Sequence, residues 1–94
     1  MDRINKFYKI LLDLEKNDGL NIENIKTTID LLAFDNSIKE DLIERLYTHK
    51  ECNKDENYLT VANYADGYNL SLECEGCYSV IIDSETLEMM LEEE

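Results

Sequence analysis

YLTVANYADGYNLSLECEGCYSVIID, residues 58 to 83, decides the fold, because here the spacing of apolar residues is two. Leu59 and Val61, then Leu70 and Leu72, then Val80 and Ile82 fall on one parity, the pattern of strands with one buried face. Asp66-Gly67 predicts a two-residue hairpin turn, which needs positive φ at both central positions. Pairing Ala65 with Tyr68 around it sets Val61 opposite Leu72 and Leu59 opposite Cys74, so the apolar faces agree. For the second turn, a two-residue loop at Glu75-Gly76 would separate Leu70 and Leu72 from Val80 and Ile82. A three-residue loop, Cys74-Glu75-Gly76 with Gly76 left-handed, keeps them together and is the expectation. Tyr58, Thr60, Ala62, Tyr64, Asn69, Ser71, Glu73, Ser79, Ile81 and Asp83 then share the other face. That face is either open to a partner or covered by a helix.

Upstream the period is helical. Ile4, Phe7, Tyr8, Leu11 and Leu14 predict a helix over residues 3 to 17, with a stop at Asp18-Gly19. Ile22, Ile25, Ile29 and Leu32 predict a second, capped by Asn21. Ser37 and Glu40 form a capping box ahead of a third, whose stripe is Ile38, Leu42, Ile43, Leu46 and Tyr47. Downstream, Asp83 or Ser84 caps a last helix with Leu87, Met90 and Leu91 on its apolar side. The fold class is α+β: three N-terminal helices, a three-stranded antiparallel meander and a C-terminal helix, in a single domain over residues 1 to 94.

The charge divides at the same boundary. Residues 1 to 50 hold eight basic and ten acidic side chains, a net of −2, whereas residues 51 to 94 set Lys54 against twelve carboxylates, a net of −11. Most of the chain's −13 therefore belongs to the sheet and the last helix. Such a field repels nucleic acid and anionic membrane and attracts basic protein surfaces. Direct nucleic-acid binding is disfavoured even though three helices and a strand pair suggest a winged helix, since duplex binding needs basic side chains against phosphate. No apolar run reaches the length of a membrane span and the N-terminus is unlike a signal peptide, so a cytoplasmic location is expected.

All three cysteines and the one histidine fall in two clusters, His49-Lys50-Glu51-Cys52 and Cys74-Glu75-Gly76-Cys77. A tetrahedral zinc takes four N or S ligands, and pairs spaced by two residues supply two of them from one turn. In a meander the start of the first strand lies beside the turn between the second and third, so the clusters can meet at one sheet end. His49, Cys52, Cys74 and Cys77 are thus the candidate ligands of one structural zinc. The alternatives are unligated thiols, with Cys74 a core residue, or a redox pair at Cys74 and Cys77. Zinc ribbons more often have Gly after the second Cys, where this chain has Tyr78.

Asn53, Asp55 and Asn57 alternate like the start of a calcium loop, but Tyr58 and Tyr64 stand where that loop needs Gly and a bidentate Glu. No phosphate-binding or nucleophile-elbow motif occurs, and the chain is not expected to be an enzyme. Glu51, Asp55, Glu56, Asp66, Glu73, Glu75 and Asp83, with Tyr58 and Tyr64 as aromatic anchors, are the expected contacts to a basic partner, one that itself handles nucleic acid. In composition the chain resembles phage-encoded DNA mimics, a class that includes some anti-CRISPR proteins and uracil-DNA glycosylase inhibitors. That resemblance implies an inhibitor occupying a basic groove. The competing readings are a zinc-stabilised adaptor and an antitoxin or immunity-type protein neutralising a basic toxin.

Overall fold

The computed structural model describes residues 2 to 63 and 70 to 92. Its elements are α1 (Asp2–Lys16), α2 (Ile22–Leu31), α3 (Asn36–Thr48), one 3-10 turn (Glu51–Asn53), β1 (Leu59–Asn63), β2 (Leu70–Cys74), β3 (Ser79–Asp83) and α4 (Ser84–Glu92). The order three helices, meander, helix is the one the periodicity predicts. Tyr64, the Asp66-Gly67 turn and Asn69 lie outside the described residues.

Local chemistry sets the helix ends. After α1, Asp18 takes the left-handed conformation at φ 59°, and the Gly19 amide reaches back to the Leu14 carbonyl at 2.7 Å. This pairing satisfies carbonyls that a helix end leaves without partners. The expected stop is present, but the aspartate rather than the glycine makes the bend. Asn21 caps α2 as expected, its Oδ1 accepting from the Asn24 amide at 2.9 Å. The expected capping box at Ser37 and Glu40 does not form. Asp35 occupies the N-cap position without a side-chain cap bond, so Ser37 is already inside the helix, and its hydroxyl donates to Asp35.

Phe7, Tyr8 and Leu11 of α1, Ile25 and Ile29 of α2, and Leu42 and Leu46 of α3 are buried in one apolar cluster with Leu59, Leu72, Cys74, Ile82 and Leu87. Helix α1 lies against β1, while α3 and α4 lie against β3. Two long-range polar contacts fix this packing. The buried Tyr8 hydroxyl donates to the Ile82 carbonyl at 3.0 Å, and Glu15 accepts from the Thr60 hydroxyl at 2.7 Å and the Val61 amide at 2.9 Å. Burial, aided by the nearby Asp83 charge, pushes the Tyr8 phenol well above its ordinary pKa.

The sheet order is β1-β2-β3, and Leu59 faces Cys74 and Val61 faces Leu72 as the apolar parity requires. The second hairpin departs from expectation. Cys74 pairs with Ser79, so the loop has four residues, Glu75 to Tyr78, and the left-handed position belongs to Tyr78 at φ 57° instead of Gly76. Between Leu72 and Glu73 the register shifts: Leu72 faces Ile82 but Glu73 faces Val80, leaving Ile81 as the extra residue of a bulge. A bulge moves the following side chains to the opposite face. Hence Val80, expected inside, is 51% exposed, while Ile81, expected outside, is 2% exposed. Ser71 also corrects the open-face reading, because it and its neighbour Leu72 are both fully buried. Successive strand residues point to opposite faces, so the centre of the sheet is covered on both sides.

Candidate metal centre

Three elements converge on one end of the sheet. His49 is the residue at which α3 ends, and Cys52 lies in the 3-10 turn that follows, three residues on. Cys74 is the last residue of β2, and Cys77 is the third residue of the loop it opens. The ligating atoms of His49, Cys52, Cys74 and Cys77 all lie within 4.8 Å of one another, with Cys77 Sγ 3.2 Å from His49 Nδ1. Bond lengths of about 2.0 Å to nitrogen and 2.3 Å to sulfur place the corners of a tetrahedral zinc site roughly 3.3 to 3.8 Å apart. The cluster can therefore hold a metal ion after a small contraction. No cysteine is in a disulfide.

Four neighbours shape this pocket. Asn53 donates through Nδ2 to the His49 carbonyl at 2.8 Å and faces Cys74 Sγ at 3.6 Å, while its Oδ1 accepts the Tyr58 amide at 2.7 Å. One amide side chain thus joins the end of α3, the second hairpin and the entry to β1. Gly76 sits where a side chain would be tight: an added Cβ would stand 3.1 Å from the Tyr58 ring and 3.3 Å from Cys52 Cβ, so those neighbours would have to give by a few tenths of an ångström. Tyr58 continues the strand ladder there, its carbonyl accepting the Glu75 amide at 2.9 Å. Tyr78 supplies the backbone bend after the second cysteine. A left-handed conformation costs a non-glycine residue about 1 to 2 kcal/mol, and at 93% exposure this ring gains little burial in return. The bend returns the chain to β3 with Cys74 buried and Cys77 exposed.

The thiols differ. Burial raises the Cys52 thiol, and the sulfurs of Cys77 and Cys74 raise it further. Cys77 is lowered, first by a hydrogen bond from Ser79 and then, against some desolvation, by bonds from Cys74 and Cys52. All four sequence candidates for the metal come together here. Asn53 was legible only as part of a rejected calcium pattern, and nothing in its local sequence marks it as a bridge.

The acidic candidates are dispersed. Glu51, Asp55, Glu56 and Glu75 are exposed around the cluster, and Tyr58 is partly exposed, its hydroxyl donating to Glu56 at 3.1 Å. That bond and the Glu56 and Asp55 charges raise the Tyr58 phenol. Glu73 is half-buried and accepts from Ser71 at 2.6 Å. Asp83 is engaged as the cap of α4, accepting the Thr86 amide at 2.7 Å. Tyr64 and Asp66 lie outside the described residues.

Comparison with protein-family models, curated proteins and solved structures finds no match to this chain. Among the described residues no helix is long and apolar enough to cross a membrane.

Proposed function

We propose that the protein is a non-enzymatic, zinc-stabilised binding module whose acidic sheet end docks on a basic protein surface. The convergence of four ligating atoms within 4.8 Å carries this reading. Thiolate and imidazole are the donors zinc prefers, and a site closed by four protein ligands leaves no position for substrate. When bound, the metal would tie the end of α3 to the second hairpin. Three thiolates and a dication leave that end net negative, so the metal does not relieve its acidity. The test is native mass spectrometry of protein produced with zinc, followed by chelation under circular dichroism. One equivalent of zinc and loss of structure on its removal are expected; a chain that takes up no zinc, or folds equally well without it, ends the proposal.

The exposed Glu51, Asp55, Glu56 and Glu75 favour a second reading in which the module inhibits a nucleic-acid-handling protein by filling its basic groove. A pull-down at low and high salt addresses it. Recovery of a basic nucleic-acid-binding protein at low salt supports inhibition, and loss of that capture when three of these carboxylates become Lys ties it to charge.

A further inference from the structure

The three sulfurs of the candidate metal centre lie within 4.8 Å of one another and none is in a disulfide. They differ in access and in how firmly the backbone holds them. Cys74 is buried, paired with Leu59 of β1 on one side and Ser79 of β3 on the other, and its sulfur faces the Asn53 amide at 3.6 Å. Cys77 is exposed in the loop of the second hairpin, and Cys52 is half-buried in the 3-10 turn. Neither belongs to a strand ladder. The loop runs against that turn, since a Cβ built on Gly76 would come 3.3 Å from Cys52 Cβ, and the two Cβ atoms of a disulfide stand about 3.5 to 4.5 Å apart. Contracting a sulfur pair from this cluster to a bond of about 2.05 Å takes side-chain rotation and a small backbone movement. Loop residues allow such movement, and a residue paired on both sides resists it.

We infer that the cluster is a site of reversible oxidation, at which a hydroperoxide joins Cys52 and Cys77 in a disulfide and the metal is expelled. Expulsion of zinc rests on the zinc-module reading, whereas the disulfide rests on the sulfur geometry alone. The accessible Cys77 thiolate attacks the hydroperoxide: an S–O bond forms, the O–O bond breaks, and the leaving oxygen takes up a proton as alcohol, or as water from hydrogen peroxide. Cys77, now a sulfenic acid, has given two electrons to the oxidant. The Cys52 thiolate then attacks that sulfur, forming the S–S bond and breaking the S–O bond, and hydroxide leaves with a second proton as water. Only His49 and Cys74 then remain of four donors, too few to retain zinc. A dithiol reductant returns two electrons and two protons by exchange and restores the site. The Cys52–Cys77 bond joins the same two segments that the metal joins, the turn after α3 and the second hairpin. A Cys74–Cys77 bond would stay within one hairpin and draw Cys74 from the core.

Hydrogen peroxide added to the reduced, zinc-loaded full chain tests the inference, with zinc release followed by a chromogenic chelator and linkage mapped by mass spectrometry. Cleavage after Lys54 and Glu75 places the three cysteines on separate peptides. One zinc released per disulfide, a Cys52–Cys77 linked peptide and recovery of both thiols with a dithiol are expected. The oxidised, metal-free chain should also melt above the reduced, chelated one, because the cross-link restricts the unfolded chain. Cys74→Ser should still form the Cys52–Cys77 bond, whereas Cys52→Ser should carry Cys77 on to the sulfinic acid. Linkage of Cys74 to Cys77, sulfinic acid at Cys77 of the parent without a cross-link, or loss of the bond in Cys74→Ser overturns the inference. Zinc and thiols unchanged by a tenfold excess of peroxide also overturn it and leave the zinc module standing. A reduced chain that takes up no zinc yet forms the Cys52–Cys77 bond has the opposite meaning: the disulfide site stands, and the zinc module with its metal expulsion falls.

Discussion

Helices α1 to α3 bring Phe7, Tyr8, Leu11, Ile25, Ile29, Leu42 and Leu46 into an apolar cluster shared with Leu59, Leu72, Ile82 and Leu87, whereas one end of the sheet gathers one imidazole and three sulfurs. Both ends are folded, but they answer to different conditions. Apolar burial needs only water around it, and its strength hardly changes with pH. A metal-bound thiolate cluster would depend on its ion, and protons compete for the same lone pairs. The helical half is also nearly charge-balanced, while the sheet half carries a net of −11 that opposes its own compaction. The difference teaches that on the zinc proposal the acidic half would add a ligand's cohesion to its share of the core.

Removing the metal should have the largest effect. With zinc at about a thousand times its dissociation constant, linkage contributes roughly 4 kcal/mol, so chelation should lower the melting temperature by about 15 to 30 °C. Cys74→Ser should reproduce that loss and make the variant insensitive to chelator. Next, Leu42→Ala should cost about 2 to 5 kcal/mol by leaving a cavity in the helical half, measured by urea unfolding. Its cost should change little with metal; a strongly metal-dependent cost would mean that Cys74, a member of the same core, couples the site to the helices. Tyr78→Gly should act in the other direction, stabilising by roughly 0.5 to 1 kcal/mol by relieving the left-handed strain, as read by a rise in the urea midpoint.

A smaller effect belongs to high pH. The folded state holds the Tyr8 phenol above its ordinary value, so it keeps a proton that the unfolded chain releases. Its contribution is complete below a pH of about 10, the ordinary tyrosine value, and is lost as the pH rises beyond it. Tyr8→Phe should lose about 1 kcal/mol at neutral pH with the Ile82 hydrogen bond, and its stability should fall less steeply above pH 10 than that of the parent. Urea titrations of both proteins across pH 8 to 11 read the two slopes.

How much the sequence disclosed follows the same division. Helical spacing is redundant, with several apolar residues each voting for one face, so α1, α2 and α3 were legible to within about three residues at their ends. The first strand pairing was legible because Leu59, Val61, Leu72 and Cys74 admit only one register with the apolar residues together. The second hairpin was not. Its apolar run Val80-Ile81-Ile82 has no alternation to fix which residue turns inward, and the bulge resolves it by burying the last two. Gly76 looked like the left-handed residue because glycine adopts that conformation most easily. The structure uses glycine there for space under Tyr58 and imposes the bend on Tyr78. The four metal candidates were legible from spacing and topology together, whereas Asn53 binds through contacts that no periodicity records.

The wide separation of the ligands along the chain has a consequence for how the protein is made. His49 and Cys52 are synthesised well before Cys74 and Cys77, so during translation the set stays incomplete until the second hairpin has emerged. By then the residues of α1, α2 and α3 are already out and able to collapse together, since their contacts span short stretches of chain. On the zinc proposal, metal supply would govern the final step of maturation, and a product made without zinc would present an unfinished acidic end to proteases.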